Sequence, residues 1–230
     1  MPVSHGYQFI FIHIPKTAGS SMLQALHTED AAWEFLNQNA WPRFFESPNG
    51  VEMFRDMRGF FALNQISHFM EQHLPARILR QMVPAEVWSN YFKFAFVRNP
   101  WDLVVSTYVY FHEIFKQYPE TAKTAADIAF ISTNVDFSNY VRARPYFASE
   151  PGYLPFITDK RGELIVDFVG RVETVDADMA EIGRRIGREI ALPHLNRLPR
   201  ANYREYYTPH TRELVAREFA REIEMFGYEF

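Results

Sequence analysis

The sequence predicts an α/β protein: three layers, with a central, mostly parallel sheet flanked by helices. Three observations carry that expectation. Short, nearly continuous apolar runs occur at residues 7–14, 92–97 and 164–169, and such runs suit strands buried on both faces. The runs alternate with stretches of helical spacing, which argues for parallel pairing. The first two runs end in polar, charged loops, at the strand ends where open α/β sheets place their ligands.

The elements follow in chain order. After the run at 7–14, Met22, Leu23 and Leu26 recur at helical spacing. Residues 28–60 are less regular: Trp33, Phe35, Trp41, Phe44, Phe45 and Phe54 are interrupted by Pro42, Pro48 and Gly50. Residues 60–66 are a candidate strand. Residues 75–82 suit a helix with Ile78, Leu79 and Met82 on one face. Behind the run at 92–97, Asn99 offers an N-cap and Pro100 the first helical position. Val104, Thr107, Tyr108, Phe111 and Phe115 continue that helix. Between 118 and 160 the prolines at 119, 145, 151 and 155, with Gly152, break the pattern. A helix is expected over about 176–190. The last helix has Thr208 as its cap, Pro209 at its start and Gly227 at its end, with Leu214, Val215, Phe219, Ile223 and Phe226 on one face.

At 230 residues the chain is long enough to bury a full core, and residues 1–230 read as one domain. Apolar residues are 47% and charged residues 23%, ordinary for a globular protein. The formal net charge of −4 supplies no global field toward nucleic acid. There is no cysteine, which excludes disulfides, thiolate catalysis and cysteine-held metals. No leader pattern opens the chain and no 18-residue apolar window is present. A soluble, cytoplasmic protein without a membrane span is the expectation. No His/Asp/Glu cluster has metal-ligand spacing.

The loop after the first run is His13-Ile14-Pro15-Lys16-Thr17-Ala18-Gly19-Ser20-Ser21. A strand-to-helix junction suits an anion, because backbone N–H groups converge at a helix start that carries about half a positive charge. Gly19 admits close backbone approach. Thr17, Ser20 and Ser21 bring hydroxyls, and Lys16 a mobile cation. The loop is not a Gly-x-x-x-x-Gly-Lys-[Ser/Thr] motif; an ordinary capped turn with a solvated Lys16 is the alternative. His13 reads as structural. The second junction, 94–108, repeats the layout. Arg98 closes the strand, and Ser106 lies about two helical turns on, able to face the same corner. A guanidinium and a hydroxyl can share a phosphate monoester, while Asp102 is a competing partner for Arg98.

The pair Pro-Lys-Thr-Ala-Gly-Ser-Ser and Val-Arg-Asn-Pro-x-Asp-x-x-x-Ser-x-Tyr, about 80 residues apart, resembles the sulfotransferase family, most closely its carbohydrate-type branch and that branch's soluble bacterial members. Residues 167–173 with Asp178, residues 192–196 and the ending 226–230 extend the similarity over nearly the whole chain. The resemblance implies a P-loop-like sulfotransferase fold and 3′-phosphoadenosine 5′-phosphosulfate (PAPS) as donor, with 3′,5′-bisphosphate (PAP) as product and no metal. It implies a small-molecule or glycan acceptor. Lys16 would stabilise charge on the bridging oxygen, assisted by the backbone of Thr17, Ala18, Gly19, Ser20 and Ser21. Arg98 and Ser106 would hold the 3′-phosphate, and Arg200 is a further candidate there. For the general base, His73 is the closest match, with His68 and then Glu71 as competitors. The aromatics of 33–61 and of 140–156 are acceptor-cleft candidates and equally core candidates. Two other readings stay open: a P-loop-like nucleotide phosphotransferase or hydrolase that needs ATP and magnesium, and a non-catalytic nucleotide-binding module. Neither acceptor identity nor oligomeric state is legible.

Overall fold

The structure, a computed structural model, describes residues 2–27, 33–35, 73–117, 136–143, 152–192 and 201–230. In chain order its elements are β1 (Pro2–Ser4), β2 (Phe9–Ile12), α1 (Gly19–Leu26), β3 (Trp33–Phe35), α2 (Ala76–Met82), α3 (Ala85–Asn90), β4 (Phe92–Val97), α4 (Pro100–Gln117), α5 (Phe137–Ala143), α6 (Leu154–Ile157), β5 (Phe168–Arg171), α7 (Val175–Ile186), α8 (Pro209–Glu218) and α9 (Ala220–Phe226). Short 3-10 turns occupy Val172–Thr174 and Tyr203–Tyr206. The candidate strand at 60–66 lies outside the described residues. The chain divides into two compact units, Met1–Val97 with Tyr153–Arg197, and Arg98–Gly152 with Leu198–Phe230.

The first unit holds the sheet, in the order β3-β1-β2-β4-β5. β2, β4 and β5 are parallel neighbours, and β1 pairs antiparallel with both β2 and β3. The sheet is therefore mostly parallel, with one reversed strand. Phe9, Phe11, Phe94 and Phe96 share one face and pack against Met22 and Leu26 of α1 and Met179, Ile182 and Ile186 of α7. Ile10, Ile12, Ala95 and Val97, on the alternate face, are fully buried too. Burial on both faces is why β2 and β4 read as continuous apolar runs. Each of these side chains except that of Ala95 contributes about 1.5–3 kcal/mol of transfer free energy.

Lys93 is the polar interruption in β4, and it is buried. Its ammonium donates to the carbonyls of Trp88 (3.0 Å) and Tyr91 (2.7 Å) and pairs with Asp167 Oδ2 at 2.8 Å. The same carboxylate accepts the Lys93 N–H, and the Asp167 N–H donates to the Lys93 carbonyl. This clamp sets where β5 begins. The strand expected at 164–169 is observed at Phe168–Arg171 instead. Leu164 is exposed and makes only an isolated antiparallel bridge to Thr158. The next helix, expected over 176–190, ends at Ile186 because Gly187 turns left-handed (φ 70°) and caps it.

In the second unit, Asn99 caps α4 as expected: its Oδ1 accepts the N–H groups of Trp101 (3.1 Å) and Asp102 (3.4 Å). Thr208 and Thr211 form a reciprocal capping box at the start of α8. The final helix, expected unbroken to Gly227, is two helices that meet at buried Phe219 (φ −104°). Phe137, Tyr140, Tyr206 and Tyr207 gather around α4 and α5, with Phe137 edge-on to Tyr207 at 4.8 Å. Tyr140 is buried here, and Tyr153 and Phe156 are buried in the first unit. These three rings of 140–156 belong to cores rather than to an open cleft. Among the described residues, no helix is long and apolar enough to cross a membrane.

Candidate functional site

The loop between β2 and α1 is built on unusual backbone. Lys16 (φ 63°) and Ala18 (φ 60°) are both left-handed without being glycine, a conformation that costs about 1–2 kcal/mol per residue. Thr17 between them is fully buried, and its hydroxyl donates to the Ile14 carbonyl at 2.9 Å. The hydroxyl expected to meet a ligand instead ties the loop to itself. Lys16 is half-buried, and Ser20 and Ser21 occupy the first turn of α1. Gly19 is required for a reason the sequence did not reveal. A Cβ there would fall inside the His13 imidazole.

His13, read from sequence as structural, packs directly against this loop. Its ring is buried and stacks on Phe11 at 5.7 Å. His73 lies against it with ring centroids 4.2 Å apart. The His73 Nδ1 is 3.0 Å from the His13 carbonyl. A carbonyl only accepts, so Nδ1 carries the proton and Nε2 is the basic nitrogen. Burial lowers the His73 pKa from 6.5 to about 4; Lys16 acts in the same direction and the bond to His13 opposes it. The structure therefore brings His73, the first-ranked candidate base, to the start of the loop between β2 and α1. His68, Glu71 and Arg200 lie outside the described residues. The one signal that pointed to His13 was its place immediately before the loop.

At the second junction Arg98 follows Val97, the last residue of β4. Its Nη1 donates to Ser106 Oγ at 2.9 Å and its Nε to Asp102 Oδ2 at 2.7 Å. Both partners weighed from the sequence are engaged at once: Asp102 and Ser106 lie one turn apart on α4, and Arg98 sits just before that helix. The guanidinium and carboxylate are 14% and 16% exposed, so the fork is held in fixed orientation by partly desolvated partners. Asn99 Nδ2 also donates to the Glu229 carbonyl at 2.8 Å, tying the junction to the chain's last residues within this unit. β2 and β4 are parallel neighbours, with Ile12 opposite Ala95. Among the described residues, no group of three or more His, Asp or Glu side chains is arranged to hold a metal.

Comparison with known proteins adds the lineage. The family model described as the sulfotransferase family matches residues 1–229. An uncharacterized protein of Archaeoglobus fulgidus is 28% identical over 135 residues, which is 57% of this chain and 98% of that protein. No solved structure matches.

Proposed function

The chain belongs to the sulfotransferase family, and from that premise we propose that it moves the sulfuryl group of PAPS to an acceptor hydroxyl of a small molecule or glycan. The observation that carries the reading is the Arg98–Ser106 pair at 2.9 Å, with Asp102 locking the guanidinium from the other side. A planar fork fixed in advance beside a hydroxyl fits a phosphate monoester. In this reading it takes the donor's 3′-phosphate and acts by positioning. PAPS supplies an activated sulfur–oxygen bond.

The residues of the first loop act at the other end of the donor. Lys16 and the backbone N–H groups from Thr17 to Ser21 neutralise charge on the phosphosulfate and on the oxygen that departs from sulfur. His73 Nε2 accepts the acceptor's proton as the new oxygen–sulfur bond forms. The old sulfur–oxygen bond breaks with its electron pair left on PAP. A base with a pKa near 4 is unprotonated at neutral pH, and the donor's negative charge raises its proton affinity. The hydrolase reading is disfavoured by Thr17. A magnesium-binding hydroxyl after the loop lysine must face the metal, and Thr17 Oγ1 is buried and donates to Ile14.

The test is thermal stabilisation by PAP beside ADP and ATP–magnesium, in wild type and Arg98→Ala. PAP at 100 times its Kd adds about 2.7 kcal/mol, and the shift is lost in the variant. Stabilisation by ATP–magnesium and not by PAP would overturn the proposal. Transfer of radiolabelled sulfate from PAPS, lost in Lys16→Ala, separates the enzyme from a non-catalytic nucleotide-binding module.

A further inference from the structure

We infer that His13 is a positioning residue: its main-chain oxygen selects which nitrogen of His73 is basic, and its ring sets the spacing between that nitrogen and the phosphate loop. The inference deepens the proposed function and rests on it for the identity of the base.

Two independent contacts of one residue carry the argument. The first is the hydrogen bond from His73 Nδ1 to the His13 carbonyl. A neutral imidazole that donates through Nδ1 is basic only at Nε2. The second is the overlap of the His13 ring with the place where a Cβ on Gly19 would stand. The loop therefore begins at His13 by covalent connection and closes on the His13 ring at the first residue of α1. Inside that span, Thr17 Oγ1 ties back to Ile14, and Lys16 and Ala18 hold left-handed backbone. Strained conformations persist only where surrounding contacts over-determine them. His13 supplies such a contact, and the same ring lies 4.2 Å from His73. Phe11 stacks behind it and is itself stacked on Phe94 at 5.3 Å, so the ring is backed by the sheet. One side chain thus touches both the base and the loop.

The chemistry at Nε2 needs no proton on the His13 ring. This separates a positioning role from a relay and gives the test. The variants are His13→Ala and His13→Phe in the full chain, and His73 is followed by nitrogen NMR of labelled histidine. In wild type, His73 is expected as the Nδ1–H tautomer. In His13→Ala the ring volume is lost, and kcat falls by up to about a hundredfold for a misplacement on the order of 1 Å. His73 then titrates closer to 6.5, because water reaches it. In His13→Phe the ring is restored, the carbonyl is unchanged, and kcat returns with the depressed titration.

Three results would overturn the inference. They are an Nε2–H tautomer in wild type, a His13→Phe enzyme as impaired as His13→Ala, and a His13→Ala enzyme whose His73 titration is unmoved. Should His13→Ala fail to fold, the wild-type tautomer and the His13→Phe kinetics still decide. The tautomer and titration are read without turnover, so a failure of the sulfuryl-transfer reading is distinguishable from a failure of this one.

Discussion

Burying His73 as a neutral imidazole commits the fold to a loss of stability in acid. The folded pKa is about 4 against 6.5 in the unfolded chain. As pH falls below 6.5 the unfolded chain takes up the proton first, so unfolding is favoured. The stability is fully present above pH 6.5 and is lost as pH drops through 4. At 1.36 kcal/mol per unit, the whole window is worth about 3 kcal/mol. A loss of that size is a large share of a typical net stability of about 5–15 kcal/mol. The perturbation is His73→Asn, whose amide keeps an N–H for the His13 carbonyl but does not titrate. The assay is urea unfolding at steps from pH 7.5 to 4.5. The wild type carries an extra slope of up to about 1.4 kcal/mol per pH unit below 6, absent from the variant. Carboxylates shared by both proteins cancel in the difference. Parallel curves for the two proteins would refute the reasoning, since His73 would then be titrating alike in both states.

Other expectations are more local. Arg98→Lys replaces a fork with a point charge that cannot serve Asp102 and Ser106 together; PAP affinity by calorimetry should fall by about 1.5–3 kcal/mol, the worth of a charged hydrogen bond. Thr208→Ala removes one arm of the capping box on α8, and the unfolding free energy should drop by about 1 kcal/mol. Gly170→Ala drives a methyl to 2.6 Å from the Phe96 ring; chemical denaturation should register about 1–3 kcal/mol of overpacking. An unchanged midpoint would mean that β4 and β5 separate more easily than their packing implies. Lys93→Met strands the Trp88 and Tyr91 carbonyls, while Asp167 keeps the main-chain N–H of residue 93. Denaturant unfolding should report a loss of about 1–3 kcal/mol.

The parts of the molecule legible in the sequence were those governed by short-range chemistry. β2 and β4 announce themselves because both of their faces are buried. α4 and α8 do so because Asn99-Pro100 and Thr208-Pro209 are unambiguous helix starts. Helical spacing put both Asp102 and Ser106 within reach of Arg98, with Asp102 the favoured partner, and the structure engages both. The elements that escaped depend on partners distant in sequence. β1 is three residues long and is defined by β2 and β3 on either side. The start of β5 is set by Lys93, 74 residues earlier. The break at Phe219 keeps Val215, Phe219 and Ile223 at four-residue spacing, so periodicity passes through it unchanged. At the candidate site, residue types were legible and their orientation was not. Nothing local tells Thr17 to turn its hydroxyl inward, and nothing in Gly19 says that an imidazole, rather than an anion, occupies the place of its Cβ.

The pairing of β2 with β4 also dictates an order of assembly. The partners Phe9 and Phe92 are roughly eighty residues apart, and closing a chain segment of that length must come before their ladder rewards it. During synthesis at about 5–20 residues per second, β2 and its loop wait roughly 4–16 s before β4 exists. Until then the run at Phe9–Ile12 has no strand on the edge opposite β1, and the left-handed turns at Lys16 and Ala18 lack the sheet that backs them. The loop made first is finished late.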